Sequence, residues 1–227
     1  MKYPLPLFIL LSFPALAAAP QSLPIQDITA VIVTGDASAI DVTSDPGRPY
    51  RVSLAVRRSG WFGNWSSNWF YNSCRDNSRI WKEGPELRVA VVESTGFGSS
   101  DCTVELKVNM PASAHVSITQ KAARVALTGA YGDVDLDLRA GDVTLKGDVR
   151  TVAVRGDAVR ANLSFGIVEA VTVDVAMLDV FLGFAPGSDI SYRVDAAASF
   201  VDSALPNTPG AKPSVLVRAD AARATIR

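Results

Sequence analysis

Apolar and polar residues alternate in short runs through the middle of the chain, and each run closes on a glycine. Strict alternation is the period of a half-buried β-strand, because successive side chains point to opposite faces. The segment 132–166 (GDVDLDLRAGDVTLKGDVRTVAVRGDAVRANLSFG) holds four such runs. Their apolar residues are Val134, Leu136 and Leu138, then Val143 and Leu145, then Val152 and Val154, and finally Val159, Ala161, Leu163 and Phe165.

The runs recur about every nine residues between 116 and 184, which leaves room for a tight turn and none for a helix. A pitch sustained over this length predicts a β-solenoid, in which stacked runs share one continuous core. The alternative is a β-sandwich, whose strands also follow one another at 8–12 residues. The repeated Gly-Asp at 132, 141, 147 and 156 favours the solenoid.

The same alternation predicts shorter strands on both sides of this segment, and the chain is therefore expected to be all-β. Two strands flank a predicted turn at 34–38, and the others follow after turn-forming residues. The predicted strands are 28–33, 40–42, 50–56, 86–92 and 103–108 before the repeats, and 190–194, 215–217 and 225–226 after them.

An aromatic-rich segment at 59–81 interrupts the pattern and contains all four tryptophans. Glycine, asparagine and serine separate its aromatic residues, which predicts a long loop or an extended hairpin. Trp81, beside the next strand, is expected to be a core residue. The others could bind a glycan, a membrane interface or a protein partner, or could cap the open end of a solenoid. The candidate ligand-binding residues are Trp61, Trp65, Trp69 and Tyr71.

Residues 1–19 are expected to be a signal peptide, and residues 20–227 a single domain. Lys2 supplies the positive end and 4–16 the apolar core. The small residues of the cleavage site are either Ala15 and Ala17 or Ala17 and Ala19. Export would place the protein in the periplasm or at the cell surface. No later stretch reaches 18 uninterrupted apolar residues, so no transmembrane segment is expected in the mature chain.

Charge and motifs exclude several functions. Cleavage removes Lys2 and no acid, which moves the net charge from −1 to −2 and argues against a nucleic-acid partner. The single histidine, His115, has no nearby cysteine or acidic cluster in the sequence, and no nucleophile elbow, phosphate loop or His-Glu-x-x-His motif occurs. We therefore expect no enzyme and no cofactor, with a paired-carboxylate hydrolase as the remaining enzymatic alternative.

A cluster of acids, Asp133, Asp135 and Asp137 with Asp142 close by, lies on the outer face of the predicted strands. Calcium needs six to eight oxygen ligands. Calcium-binding β-rolls repeat paired glycines, whereas this chain has single ones. Solvated outer-face acids are therefore the preferred interpretation, and no metal site is predicted.

The order of features resembles the bacterial putative adhesin family, a widespread domain of unknown function. A strand ends in Val-x-x-Pro at 108–111, and Gly-Asp-Val then repeats at 132–134, 141–143 and 147–149. The resemblance covers roughly residues 26–227 and implies a β-solenoid. It carries no catalytic residues, and the aromatic segment has no counterpart in it.

These observations predict a non-enzymatic, exported, adhesin-like binding or envelope-associated protein, with a glycan, the cell envelope or a protein as partner. One alternative is a structural or assembly protein of the envelope. A second alternative is a carbohydrate-active enzyme.

The two cysteines, Cys74 and Cys102, are predicted to form a disulfide, because the chain is expected to be exported. The bond would close a loop of 29 residues and stabilise the fold by about 3–4 kcal/mol on the chain-entropy model. Thiol titration of the unfolded, unreduced protein should find no free thiol, and the reduced protein should show two. Two thiols before reduction would contradict the bond.

Overall fold

The structure is a computed structural model that describes residues 21–58, 77–92 and 102–227. Every regular element in these ranges is a β-strand, which confirms the all-β prediction. The predicted signal peptide, Cys74 and the aromatic candidates Trp61, Trp65, Trp69 and Tyr71 lie outside the described residues. The strands are β1 (Gln21–Pro24), β2 (Ala30–Thr43), β3 (Arg51–Arg58), β4 (Arg79–Glu83), β5 (Glu86–Val91), β6 (Cys102–Asn109), β7 (His115–Phe165), β8 (Ala170–Gly183), β9 (Ser191–Ser203) and β10 (Ser214–Ile226).

All ten strands belong to one sheet. Its order is β1-β3-β6-β2-β7-β8-β10-β9, with β5 also beside β2 and β4 beside β5. The long strands pair in parallel, from β2 through β7, β8 and β10 to β9. Antiparallel pairs join β1 to β3, β3 to β6 and β4 to β5. A single, mainly parallel sheet differs from the two packed antiparallel sheets of the β-sandwich alternative.

Strand β7 turns back alongside itself. A straight strand of its 51 residues would extend about 170 Å. Instead, the Gly132 amide donates to the Ala114 carbonyl at 3.1 Å, and the Gly166 amide donates to the Gly147 carbonyl at the same distance. Side chains also pair across sequence separations of 17 and 18 residues, and the Ile167 amide donates to Asp148 Oδ1 across 19. This separation corresponds to two of the predicted nine-residue runs.

The core lies inside these returning segments and follows the predicted alternation. Each apolar residue named for the four runs is no more than 6% exposed. Residues in register repeat the same chemistry, as Val152, Val171 and Val215 do in one row and Val154, Val173 and Val217 in the next. Burial of each aliphatic side chain contributes about 1.5–3 kcal/mol. The predicted inward faces of the runs are therefore confirmed.

Glycine permits the close approach of adjacent segments at the bends. Gly147 has a φ of 136°, and a Cβ there would lie 1.9 Å from the Gly129 carbonyl oxygen. Gly35 has a φ of 126°, and a Cβ would lie 1.9 Å from the Val91 carbonyl oxygen. A side chain at either position would require the neighbouring backbone to move.

The predicted turn at 34–38 is wrong, because β2 continues through it as one strand. Residues 30–35 of β2 pair with 115–120 of β7, and residues 37–43 pair with 122–128. Asp36 and Lys121 are the skipped positions, and their side chains form an ion pair at 2.6 Å. The bend at Gly35 is matched by a bend in the neighbouring segment, so parallel pairing resumes beyond it.

Trp81 is exposed, which contradicts its prediction as a core residue. It lies in β4, which pairs only with β5 among the described strands, and 41% of its surface is exposed. Its neighbour Ile80 packs against the core. Because successive side chains of a strand alternate, Trp81 must face the opposite side.

Within the described ranges, no helix is long and apolar enough to cross a membrane.

Replacement of Leu145 by Asp should destabilise the protein by several kcal/mol, because it buries an unpaired charge at a fully buried position. Thr144→Ala and Lys146→Ala, on the outward side of the same run, should change the free energy of unfolding by less than about 0.5 kcal/mol. Denaturant unfolding of the three variants measures the difference. Equal losses would contradict the assignment of faces.

Candidate functional site

An open groove of about 800 Å³ crosses the outer surface of four strands, β7, β8, β10 and β9. The parallel register aligns its residues in rows that run across the strands. One row consists of Ala158, Met177, Ala221 and Ala198. The small alanine side chains create the depression, whereas the Met177 side chain projects from the surface and is 66% exposed.

A second row of the groove carries charge and ends in an aromatic ring. It consists of Arg160, Asp179, Arg223 and Phe200, in register order. Arg160 Nε lies 3.6 Å from Asp179 Oδ2. Phe200, on β9, is 62% exposed and lines the groove. A contiguous exposed apolar patch rimmed by polar residues marks an interaction site or a ligand-binding groove, whereas a single exposed apolar residue is ordinary.

The charges of the groove sum to zero. Asp142 also lines it, so two carboxylates accompany the guanidinium groups of Arg160 and Arg223. Parallel neighbours lie about 4.8 Å apart, and like charges at that spacing would repel each other. The alternation of sign removes this repulsion and leaves both hydrogen-bond donors and acceptors along the groove.

A further row of alternating charge lies elsewhere on the outer surface. Arg155, Asp174, Arg218 and Asp195 are in register there, and all four members are charged. Alternation of charge is therefore a general property of this parallel stack. The exposed Met177 and Phe200 are what distinguish the groove from the second row.

Two of the four acids in the predicted cluster, Asp133 and Asp135, are paired with side chains of other segments. Asp133 accepts a hydrogen bond from Thr151 Oγ1 at 2.6 Å and pairs with Arg150. Asp135 lies 3.7 Å from Arg155 and 3.9 Å from His115, the first residue of β7. In the described part of the chain, no group of three His, Cys, Asp or Glu side chains is placed to hold a metal ion.

The carboxyl and hydroxyl groups with shifted pKa values lie outside the groove, in hydrogen bonds that hold turns and strand ends in place. Hydrogen bonds from the Gly47 amide and from Arg48 lower the pKa of Asp45, in the turn before β3. A hydrogen bond from Arg227 lowers the pKa of Asp202, near the end of β9. Burial raises the pKa of Tyr131, whose hydroxyl lies 2.8 Å from the carbonyl oxygens of Val42 and Thr128.

The disulfide stays a prediction. Cys102 is the first residue of β6, is half-buried and lies opposite Arg58 of β3. No free cysteine occurs among the described residues, but the proposed partner, Cys74, lies outside them.

Sequence reasoning did not find the groove. Met177 immediately precedes Leu178, which begins the buried alternating run of Leu178, Val180 and Leu182, so alternation places Met177 outside. Phe200 belongs to a stretch where the repeat loosens, and no strand was predicted there. Only the register of four strands brings the two residues to one surface.

Comparison with known proteins gives structural likeness alone. No family model and no curated protein matches the chain. A putative cell adhesion protein from Clostridium sporogenes is 10% identical with a TM-score of 0.36, over 92% of this chain and 99% of that one. A putative adhesin from Bacteroides fragilis is 10% identical with a TM-score of 0.41, over 92% and 95%. A putative adhesin from Parabacteroides distasonis is 9% identical with a TM-score of 0.29, over 91% and 96%.

Proposed function

We propose that the chain folds as a β-solenoid and acts as an exported, non-enzymatic, adhesin-like binding protein. The solenoid is supported by the parallel register of the long strands and by the return of β7 alongside itself. In such a stack each segment contacts only its neighbours, and the outer surface becomes a regular platform. A platform held by many backbone hydrogen bonds presents its side chains in fixed positions.

The groove with Phe200 and Met177 is the observation that carries the binding function. Its open, elongated form suits an extended chain, and its zero net charge suits a neutral one. The ring of Phe200 offers an apolar face for a sugar ring. Arg160, Asp179 and Arg223 offer donors and acceptors for hydroxyl groups. A neutral glycan of the cell envelope is therefore the ligand class we propose.

The arrangement of charges in the groove favours binding over hydrolysis. Glycoside hydrolysis uses two carboxyl groups that face each other across the scissile bond. Asp179 instead lies in register between Arg160 and Arg223. Arg160 Nε lies 3.6 Å from one oxygen of this carboxylate, Oδ2, so the carboxylate faces a cation.

Export rests on the predicted signal peptide, and the predicted disulfide in turn rests on export. The mature protein should begin at Ala18 or Pro20. If Trp61, Trp65, Trp69 and Tyr71 bind ligand, they would provide a second candidate surface, which export would bring to the same envelope ligands.

Phe200→Ala should weaken binding to purified envelope glycan by at least about 30-fold, because truncation of an aromatic anchor costs about 2 kcal/mol or more. The melting midpoint should stay within a few degrees, since the side chain is exposed. The matched control is Ile167→Ala, which removes an apolar side chain of similar exposure, 69%, that does not line the groove. Unchanged binding by the Phe200 variant would contradict the groove as the binding site.

The double variant Trp65→Ala, Trp69→Ala tests the second surface. If these residues bind ligand, adhesion to glycan or envelope material should be abolished while the melting midpoint stays within a few degrees. A stability loss of about 3–5 kcal/mol would instead identify them as a buried cap. Calorimetry and a glycan-binding assay on the same sample distinguish the outcomes.

A further inference from the structure

Strand β9 is the last strand of the sheet, and one of its edges is largely uncovered. Among the described residues it pairs only with β10. The Asn207 side chain covers the start of the other edge, where it donates to the Tyr192 carbonyl at 2.8 Å and accepts from the Tyr192 amide at 3.0 Å. An uncovered strand edge is a template for a further strand.

The hydrogen bonds at the two ends of β9 show which backbone groups face outward. The Ser191 amide donates to the Pro213 carbonyl, towards β10, whereas Tyr192 is bonded outward to Asn207. Alternate residues of a parallel ladder turn both groups to the same side. Val194 and Ala196 therefore turn their amide and carbonyl outward, as Tyr192 does.

The same alternation applies beyond the bend at residue 197, which the register skips. The Ala204 amide donates to the Ile226 carbonyl, towards β10. Counting back from Ala204, Ser203, Val201 and Ser199 turn their backbone groups outward. The first half of β9 therefore offers Val194 and Ala196 to a neighbouring strand, and the second half offers these three residues.

An antiparallel second copy of β9 satisfies the groups of Val194, Ala196, Ser199 and Val201 at once, and Ser203 then lies opposite Tyr192, which Asn207 already bonds. Val194 of one copy then faces Val201 of the other, and Ala196 faces Ser199. Their side chains also match, because Val194 is in register with the buried Val217 and Val201 with the buried Ala224, on the core side. Opposite residues of an antiparallel pair point to the same face, so this register continues the core side across both copies.

Charge selects the same register on the outer side. Arg193 of one copy lies opposite Asp202 of the other, and the two-fold symmetry forms this contact twice. Arg193 already pairs with Asp195 at 2.8 Å, and Asp202 with Arg227. Each contact thus becomes a cluster of two positive and two negative charges. Between these ends, 196–201 (AAASFV) contains no charge and no proline, the residues that block strand edges elsewhere.

We propose that two copies of this chain associate through the outer edges of β9, paired in antiparallel orientation with Val194 opposite Val201. The paired segment, 194–201, is too short to bury the roughly 800 Å² per partner of a stable interface. Association should therefore be a reversible equilibrium with a Kd on the order of 10 µM. This inference is independent of the proposed ligand.

A charge exchange between two variants tests the proposal. Arg193→Glu alone places like charges opposite each other at both contacts of the dimer, and Asp202→Lys alone does the same. Each variant should be monomeric at concentrations where the wild-type protein dimerises, with at least a tenfold higher Kd. An equimolar mixture should dimerise again, because both contacts then join opposite charges. Sedimentation velocity measures all three samples.

Arg139→Glu is the matched control, since the Arg139 side chain lies outside the groove, is ion-paired and is 74% exposed, against 76% for Arg193. It should dimerise like the wild-type protein. Ala196→Pro removes one outward amide that β10 does not use, which an edge strand tolerates, and should also prevent dimerisation while the far-ultraviolet circular dichroism stays that of the folded protein. Monomeric wild-type protein at concentrations on the order of 0.5 mM, some fifty times the expected Kd, would overturn the proposal. Unaltered dimers of the separate charge variants would overturn it as well.

Discussion

Parallel, in-register pairing is the constraint on which the rest of this structure depends. It places each residue about 4.8 Å from its counterpart in the next segment, so the side chains within a row must be compatible with one another at that distance. In the core, a row repeats one residue type, as Val154, Val173 and Val217 do. Outside, repetition of a charged residue would be repulsive, and arginine alternates with aspartate instead. At the bends, where backbones approach most closely, glycine removes the side chain.

Much of this could be predicted from the sequence, because the inward positions follow a period of two residues. The runs ending at Leu138, Leu145 and Phe165 are buried as their alternation indicates. The turn at 34–38 failed because Gly35 serves as a bend that the neighbouring segment matches, which depends on a partner strand distant in sequence. The prediction that Trp81 is a core residue was wrong, because the face of a strand residue is set by alternation with its neighbour Ile80 and not by its aromatic character. The groove depends on the register of four strands, and no local pattern specifies that register.

The apolar core ends differently at the two ends of the sheet. At one end, antiparallel β3 and β1 follow β6, and Asn109 of β6 fastens the turn before β3 through hydrogen bonds with the Asp45 amide and carbonyl at 2.9 and 3.0 Å. At the other end the core rows taper, since Leu182 and Ile226 are followed in register by Ser203. Serine at an inward position ends the apolar core without exposing a large side chain. Beyond the start covered by Asn207, the described residues leave this backbone edge uncovered.

The groove and the open edge meet on β9, and their proposed roles are linked by geometry. Phe200 points to the outer surface, while its neighbour Val201 points to the core side and turns its backbone groups to the edge. Two copies joined at this edge would bring two grooves end to end, each closing on a phenylalanine near the shared axis. A polymer with a repeating unit could then contact both grooves, and the second contact would be intramolecular. Its effective concentration would raise the overall affinity without any new type of interaction. Weak ligand binding by each groove, combined with reversible dimerisation, would therefore be physically sufficient to retain the protein on a repetitive envelope polymer.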